Sequence, residues 1–256
     1  MTWLHRFIGT TVFGSLPVYL ATCLVMLVAE GVYVLFGFGA GLIAVGSLAM
    51  VMKRLTDVVV MLLLVSVPPE LYVVASSRRQ IAWRGVALIC IGIGVGVPLG
   101  TVALGWGEAR AVLLLLGGFL VLAGATFLLL PQAGRPVRWP AWSGPLWGLL
   151  SGVLAGLFGT GGPPLILYFR LAGLDKAAFR GNLMAIFLAI SVVRLPAYAA
   201  TGLITKERVI GALLVLPAVL AGALLGHRTH LEVKETTFQR MVAVALLLIG
   251  TLLLLR

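Results

Sequence analysis

Long apolar runs, each bounded by charged residues, glycine or proline, constrain this chain more than any other feature. Six runs can cross the roughly 30 Å hydrocarbon core of a bilayer, which takes about 20 residues of helix. Of the 256 residues, 61% are hydrophobic and 11% are charged, too few charges to cover a water-soluble core. The sequence therefore predicts an all-α polytopic integral membrane protein. The six runs are residues 12–36, 56–77, 84–105, 111–130, 207–227 and 237–255.

The basic residues give the chain a net charge of +11. In a soluble protein this excess would suggest nucleic acid as a partner. Here the basic residues stand between the apolar runs, which is typical of inter-helix loops beside anionic lipid headgroups. We therefore expect a lipid bilayer as partner and no nucleic acid. The basic pairs assigned to loops are Lys53 and Arg54, Arg78 and Arg79, Arg135 and Arg138, Lys176 and Arg180, and Lys206 and Arg208.

A short glycine motif occurs twice in the chain. Residues 35–39 read Leu-Phe-Gly-Phe-Gly and residues 157–161 read Leu-Phe-Gly-Thr-Gly, and further similarities follow in the same order. We therefore predict two related transmembrane repeats, residues 10–130 and 141–256, of about five membrane elements each. An odd number of elements inverts the second copy, and inverted repeats place substrate sites where broken or re-entrant helices meet at the bilayer midplane.

The two glycine clusters predict interruptions of helices at membrane depth. Glycine relaxes the backbone and proline removes an N–H, so a continuous helix is not expected there. A helix that restarts after such a break points free N–H groups and its positive dipole end toward the break, which suits a small anion. The alternative is that the glycines only permit close helix packing. The predicted substrate-binding residues at the breaks are Gly37, Gly39, Gly159, Thr160, Gly161, Gly162 and Pro163.

Arg194 lies inside an apolar run, where a charge costs about 2.5 kcal/mol or more. It needs an anionic partner, and the substrate and Glu70 are both candidates, although a long arginine side chain can also snorkel to the interface. Arg180 and Asn182 stand at the start of the same segment. They are predicted either to line the substrate site or to cap the helix.

Three acidic residues in or beside apolar runs are candidates for ion coupling: Glu30, Asp57 and Glu70. A buried carboxylate can carry a coupling proton or contribute to a sodium site. Each could equally neutralise a buried arginine without any role in transport.

No known catalytic motif is present, since the chain has neither a phosphate-binding GxxxxGK[ST] loop nor an HExxH metal motif. We predict that the chain is not an enzyme, with no catalytic residues, no metal site and no cofactor. Cys23 and Cys90 are interpreted as small packing residues.

Residues 148–164, GLLSGVLAGLFGTGGPP, resemble the glycine-rich signature of the TauE/SafE family of sulfite and organosulfonate exporters, within the 4-toluene sulfonate uptake permease-like superfamily. Residues 179–182 (FRGN) and 202–205 (GLIT) are similar to the family's second half. The first motif departs from the glycine-rich pattern at Phe38, Ala40 and Ser47.

The resemblance implies a secondary transporter in the bacterial inner membrane, an exporter of small sulfur-containing anions that works by alternating access and uses a proton or sodium gradient. It also implies that residues 159–164 face the substrate, with Arg180, Asn182 and Arg194 near them. The rival interpretations are a passive anion channel and a membrane-embedded assembly subunit. Association into a homodimer is left open.

Overall fold

The computed structural model describes residue 8 and residues 11–36, 40–106, 108–129, 139–140, 142–228 and 235–255. These residues form helices and connecting segments and contain no β-strand. The predicted all-α class is confirmed. The helices of ten residues or more are α1 (Leu16–Phe36), α2 (Ala40–Val51), α3 (Leu55–Ser77), α4 (Trp83–Trp106), α5 (Ala109–Leu129), α6 (Ser143–Phe158), α7 (Gly162–Leu171), α8 (Lys176–Ala200), α9 (Lys206–Arg228) and α10 (Glu235–Leu254).

Within the described ranges, six stretches of helix are long and apolar enough to cross a membrane. Five of them coincide with runs seen in the sequence, and the sixth, Ala177–Ala200 in α8, was not among those runs. In α10 the apolar stretch is the shorter Arg240–Leu254. Pro196 lies inside α8, and such a proline is tolerated in membrane helices when neighbouring groups satisfy the freed carbonyl.

The chain divides into two compact units, and each draws segments from both predicted repeats. The prediction of two repeats, residues 10–130 and 141–256, concerns the ancestry of the sequence and stays a prediction. The first unit comprises Met1–Val65, Glu108–Leu130 and Leu203–Arg256, and the second comprises Ser66–Gly107 and Pro131–Gly202.

In the first unit, α1 packs along α9, and α5 packs along α10, with α2 contacting α1, α5 and α10. Small residues allow the close approach of α1 and α9. A Cβ added at Gly31 would lie 3.4 Å from the carbonyl oxygen of Gly222, and one added at Gly226 would lie 2.6 Å from the carbonyl oxygen of Gly31. Backbone therefore meets backbone at this interface, as in other closely packed membrane helices.

The second unit contains a similar glycine-rich interface between α4 and α6, in which the two helices approach each other more closely. We call its six glycines the glycine seam. A Cβ added at any of them would meet backbone atoms of the opposite helix at or below 3.0 Å, so only glycine fits. The seam positions α6, and therefore the chain segment that follows it. Its members are Gly92, Gly96 and Gly100 on α4, and Gly148, Gly152 and Gly156 on α6.

Candidate functional site

Helix α6 ends inside the second unit at the glycine cluster that the sequence singled out. Gly159 adopts the left-handed conformation with φ of 74° and donates its N–H to the carbonyl of Ala155, which closes the last turn. Helix α7 starts three residues later, at Gly162. A non-glycine residue at position 159 would strain the backbone. The predicted interruption in the second half is therefore present.

The next two glycines, Gly161 and Gly162, differ in whether a side chain would fit at their position. A Cβ at Gly161 would lie 2.5 Å from both the carbonyl oxygen and the hydroxyl of Ser151, so a side chain does not fit. A Cβ at Gly162 would lie 3.5 Å from Ile166 and 3.6 Å from Phe187, which is ordinary van der Waals contact. Contacts with the surrounding protein therefore do not require glycine at position 162, although the following proline favours it.

The N-terminus of α7 offers fewer amide donors than an ordinary helix start. Pro163 and Pro164 follow Gly162 directly and have no N–H, so within the first turn of α7 Gly162 is the residue that keeps an amide outside the hydrogen bonds of the helix. Thr160 and Pro163 are buried beside them. Of the predicted donors at the break, the Gly162 amide is the one that lies at the start of a helix, a position that favours an anion.

Arg194 is 3% exposed and reaches the carboxyl end of α6 from α8. Its Nη1 donates to the carbonyl of Gly159 at 3.4 Å, and its Nη2 donates to the hydroxyl of Tyr198 at 3.1 Å. The Tyr198 hydroxyl in turn donates to the carbonyl of Gly156 at 2.8 Å. The guanidinium also lies 4.9 Å from the centre of the Tyr198 ring.

This arrangement puts a full positive charge at the negative end of the α6 dipole. The charge of Arg194 offsets the partial negative charge of the Gly156 and Gly159 carbonyls at the break. A guanidinium and a helix N-terminus are both groups that favour an anion as ligand.

Glu70 is the acidic residue that the structure associates with this arginine. It lies in the part of α3 that belongs to the second unit and is 5% exposed. Its carboxyl group hydrogen bonds with the side chains of Ser66 and Ser191 and is within the field of Arg194. Oε2 is buried with no hydrogen-bond partner among the described residues. The sequence-based pairing of Arg194 with Glu70 therefore has a structural basis.

Arg180 and Asn182 lie toward the other end of α8. At 1.5 Å per residue, Arg180 is about 21 Å along the helix from Arg194. Asn182 does not cap the helix, because its Oδ1 accepts from the N–H of Ala82 and its Nδ2 donates to the carbonyl of Ala178. The capping interpretation was wrong, since α8 begins earlier and its cap is Asp175, which accepts from the N–H groups of Ala177 and Ala178.

The other acidic candidates belong to the first unit. Asp57 forms an ion pair there, since its Oδ1 lies 2.7 Å from Nε of Arg208. The assignment of Arg208 to an exposed loop was therefore wrong: this residue is buried in the first turn of α9, where Asp57 compensates its charge. Glu30 is buried in α1. Gly37 and Gly39 lie outside the described residues.

Several groups at the break were missed by sequence reasoning. Ser151 donates from Oγ to the carbonyl of Gly161 at 2.6 Å, and Ser191 contacts Glu70. Tyr198 follows Arg194 by four residues, the spacing of helix neighbours, and that spacing could have revealed it. Among the described residues no group of three or more His, Cys, Asp or Glu side chains converges on a metal position.

Long apolar helices define a multi-pass membrane protein, and a buried arginine beside a helix break is typical of a substrate or ion pathway. The chain belongs to the sulfite exporter TauE/SafE family, whose model matches residues 6–253. It is a multi-pass protein of the bacterial inner membrane. The resemblance read from residues 148–164 is thereby confirmed.

Two relatives extend the comparison. A protein described as a probable sulfite/organosulfonate exporter TauE from Cupriavidus necator is 28% identical over 225 residues, covering 86% of this chain and 87% of that protein. A protein described as a probable inner membrane transporter protein TsaS from Comamonas testosteroni is 27% identical over 192 residues, covering 74% of this chain and 80% of that protein. No solved structure matches the chain.

Proposed function

We propose that this chain is a secondary transporter that exports small sulfur-containing anions, such as sulfite or organosulfonates, by alternating access between two repeats. The observation that carries the proposal is the position of Arg194, a buried cation held at the break between α6 and α7. A buried charge in a membrane protein is costly and marks substrate or ion pathways by default. The name of the relative from Cupriavidus necator supports sulfite or an organosulfonate as the substrate class.

In this proposal the anion binds at the break, opposite the guanidinium of Arg194 and the amide of Gly162. A sulfonate or sulfite group presents several oxygens, which suits the planar donors of arginine and a helix N-terminus. Thr160, Gly161 and Pro163 complete the wall of the site. Arg180 and Asn182, at the far end of α8, act along the pathway or in helix packing.

Alternating access requires two comparable halves, and the helix packing supports this. In helix order, α1 of the first repeat corresponds to α6 of the second, and α4 corresponds to α9. The glycine-rich contact of α1 with α9 in one unit thus has its counterpart in that of α6 with α4 in the other. Repeats of this kind let one half rock against the other around a fixed site.

Coupling to a proton or sodium gradient, with Glu30, Asp57 or Glu70 as the carrier, is part of the proposal. Asp57 is the weakest candidate, because its Oδ1 already lies 2.7 Å from Nε of Arg208. Association into a homodimer stays a prediction.

The test is uptake of radiolabelled sulfite, sulfoacetate and thiosulfate by proteoliposomes, with and without imposed proton and sodium gradients. We expect saturable, gradient-dependent flux that falls at least about tenfold in Arg194→Ala and is unchanged in Arg79→Ala, an exposed arginine. Flux that does not saturate and follows only the gradient of the anion would indicate a channel. No flux of any of the three anions would overturn the substrate class.

Gly162→Ala gives a sharper test of where the anion binds. The added methyl group contacts the protein at ordinary distances, and its main cost is the preference against helical backbone before Pro163. We expect a folded protein, as judged by size-exclusion chromatography, with strongly reduced anion affinity. Wild-type affinity in this variant would exclude the Gly162 amide from the site.

A further inference from the structure

The buried carboxyl of Glu70 lies within the electrostatic field of the Arg194 guanidinium, and the proposed transport function would depend on both groups. Glu70 is 5% exposed, Arg194 is 3% exposed, and both belong to the second unit. Of the charged side chains in the described part of the chain, Arg194, from α8, is the one whose field reaches Glu70. Tyr198, one turn further on α8, uses its hydroxyl to hold the carbonyl of Gly156.

The hydrogen bonds of Glu70 distinguish its two oxygens. Hydroxyl groups of Ser66 and Ser191 hydrogen bond with the carboxyl, yet Oε2 is buried and has no partner among the described residues. A buried oxygen that carries charge without a donor is costly. Binding a proton to Oε2 removes that charge. A sodium ion would need several further oxygen ligands around it, whereas a proton needs only the oxygen that lacks a partner.

We propose that Glu70 binds the coupling proton on Oε2 and that the protein moves one proton together with each anion, in the same direction. This inference rests on the proposed function. While Glu70 is ionised, its carboxylate competes with the substrate for the charge of Arg194. Once Oε2 is protonated, the arginine charge is available to the anion. Proton and anion therefore occupy the same carrier state, and the transport step forms and breaks only one O–H bond.

The charges of the proton and the anion determine which gradients can drive their transport. One proton and one monovalent anion carry no net charge, so the membrane potential does not act on the pair. A gradient of one pH unit then supports about tenfold accumulation of a monovalent sulfonate at equilibrium. An inward proton gradient opposes export by this route, so outward flux requires an anion gradient that exceeds it, as arises when a reaction inside the cell releases the anion.

The experiment follows methanesulfonate and internal pH in proteoliposomes that contain wild type, Glu70→Gln or Glu108→Gln. Glu108 is an exposed carboxylate, so its variant is the matched control. We expect wild type and Glu108→Gln to accumulate the anion about tenfold per pH unit, with protons moving alongside. Glu70→Gln should retain anion exchange but lose accumulation and proton movement. A potential set with potassium and valinomycin should not alter wild-type accumulation.

Several outcomes would overturn the proton assignment while leaving the anion transporter in place. They are proton-linked accumulation in Glu70→Gln, proton movement opposite to the anion, and accumulation that follows sodium. Should Glu70→Gln not fold, Ser191→Ala keeps the carboxyl and removes one of its hydrogen-bond partners. It is expected to change the pH midpoint of flux, and an unchanged midpoint would contradict the proposal. If the wild-type protein moves no anion, the proposed transport function itself is wrong.

Discussion

Nε of Arg208 lies 2.7 Å from Oδ1 of Asp57, and this ion pair ties the first turn of α9 to the first turn of α3 within the first unit. Both residues are buried, and Arg208 also donates to the carbonyl of Leu203 at 2.7 Å and to the hydroxyl of Thr56 at 3.0 Å. The guanidinium thus satisfies a carboxylate, a carbonyl and a hydroxyl at once. Removing either charge would leave the other buried without its counter-ion.

Loss of one partner of this pair should destabilise the protein strongly. Arg208→Gln leaves the carboxylate of Asp57 buried and unpaired, which typically costs about 3–5 kcal/mol. We expect a large fall in the thermal unfolding midpoint in detergent micelles. Lys206→Gln removes an exposed charge two residues away and should change stability by about 0.5 kcal/mol or less.

The double variant Asp57→Asn and Arg208→Gln decides whether the charges interact. Because it leaves no unpaired charge, it should be less destabilised than the sum of the two single variants. Additive effects would show that the ion pair contributes nothing beyond the packing of its side chains.

The glycine seam should not tolerate a single methyl group. A Cβ at Gly96 would lie 2.9 Å from the backbone nitrogen of Val153 and closer still to the carbonyl oxygen of Leu149. Gly96→Ala must therefore push α4 away from α6, at a cost of about 1–3 kcal/mol or more. Gly94→Ala is the matched control on the same helix, because nothing lies within 4 Å of its added Cβ. Equal unfolding midpoints in the two variants would contradict the packing described.

The lengths of the apolar runs predicted most of the fold. A bilayer requires helices of a fixed length, so a run such as residues 84–105 corresponds closely to a helix, here α4. The glycine cluster at residues 159–162 predicted the break for an equally local reason, the need for a left-handed residue and close backbone contact.

The sequence did not reveal which side chains contact each other. Asp57 and Arg208 are 151 residues apart, and only the packed helices bring them together. A basic residue beside an apolar run is typical of an inter-helix loop, and for that reason Arg208 was wrongly assigned to a loop. Asn182 was similarly misread, because the start of α8 could not be located and Asp175, the true cap, lies seven residues earlier.

Tyr198 should matter to transport through the position of Arg194. Tyr198→Phe keeps the ring and removes the hydroxyl that accepts from Arg194 and donates to Gly156. With the buried Gly156 carbonyl unsatisfied, we expect a loss of about 1–3 kcal/mol in stability and weaker anion binding. The control is Tyr72→Phe, which removes a hydroxyl from a side chain that is 73% exposed. An unchanged KM in Tyr198→Phe would mean that Arg194 does not depend on this hydroxyl.

Ser151 should influence anion affinity although it need not touch the anion. Its hydroxyl donates to the carbonyl of Gly161 at 2.6 Å. The peptide group is planar, so fixing the Gly161 carbonyl also fixes the direction of the Gly162 N–H in the same plane. Ser151 is therefore a positioning residue for the amide that we propose as an anion donor.

Ser151→Ala should raise the KM for the transported anion about tenfold, equivalent to about 1.4 kcal/mol, through the freed peptide group. The comparison is Ser143→Ala at the other end of α6, where the hydroxyl donates to the carbonyl of Pro140 at 2.8 Å. Each substitution removes one hydrogen bond from a buried serine of the same helix, so the two variants should lose similar stability. Initial rates of uptake across a range of anion concentrations separate the two effects. Because only Ser151 holds the peptide plane at the break, equal KM values in the two variants would remove the Gly162 amide from the binding site.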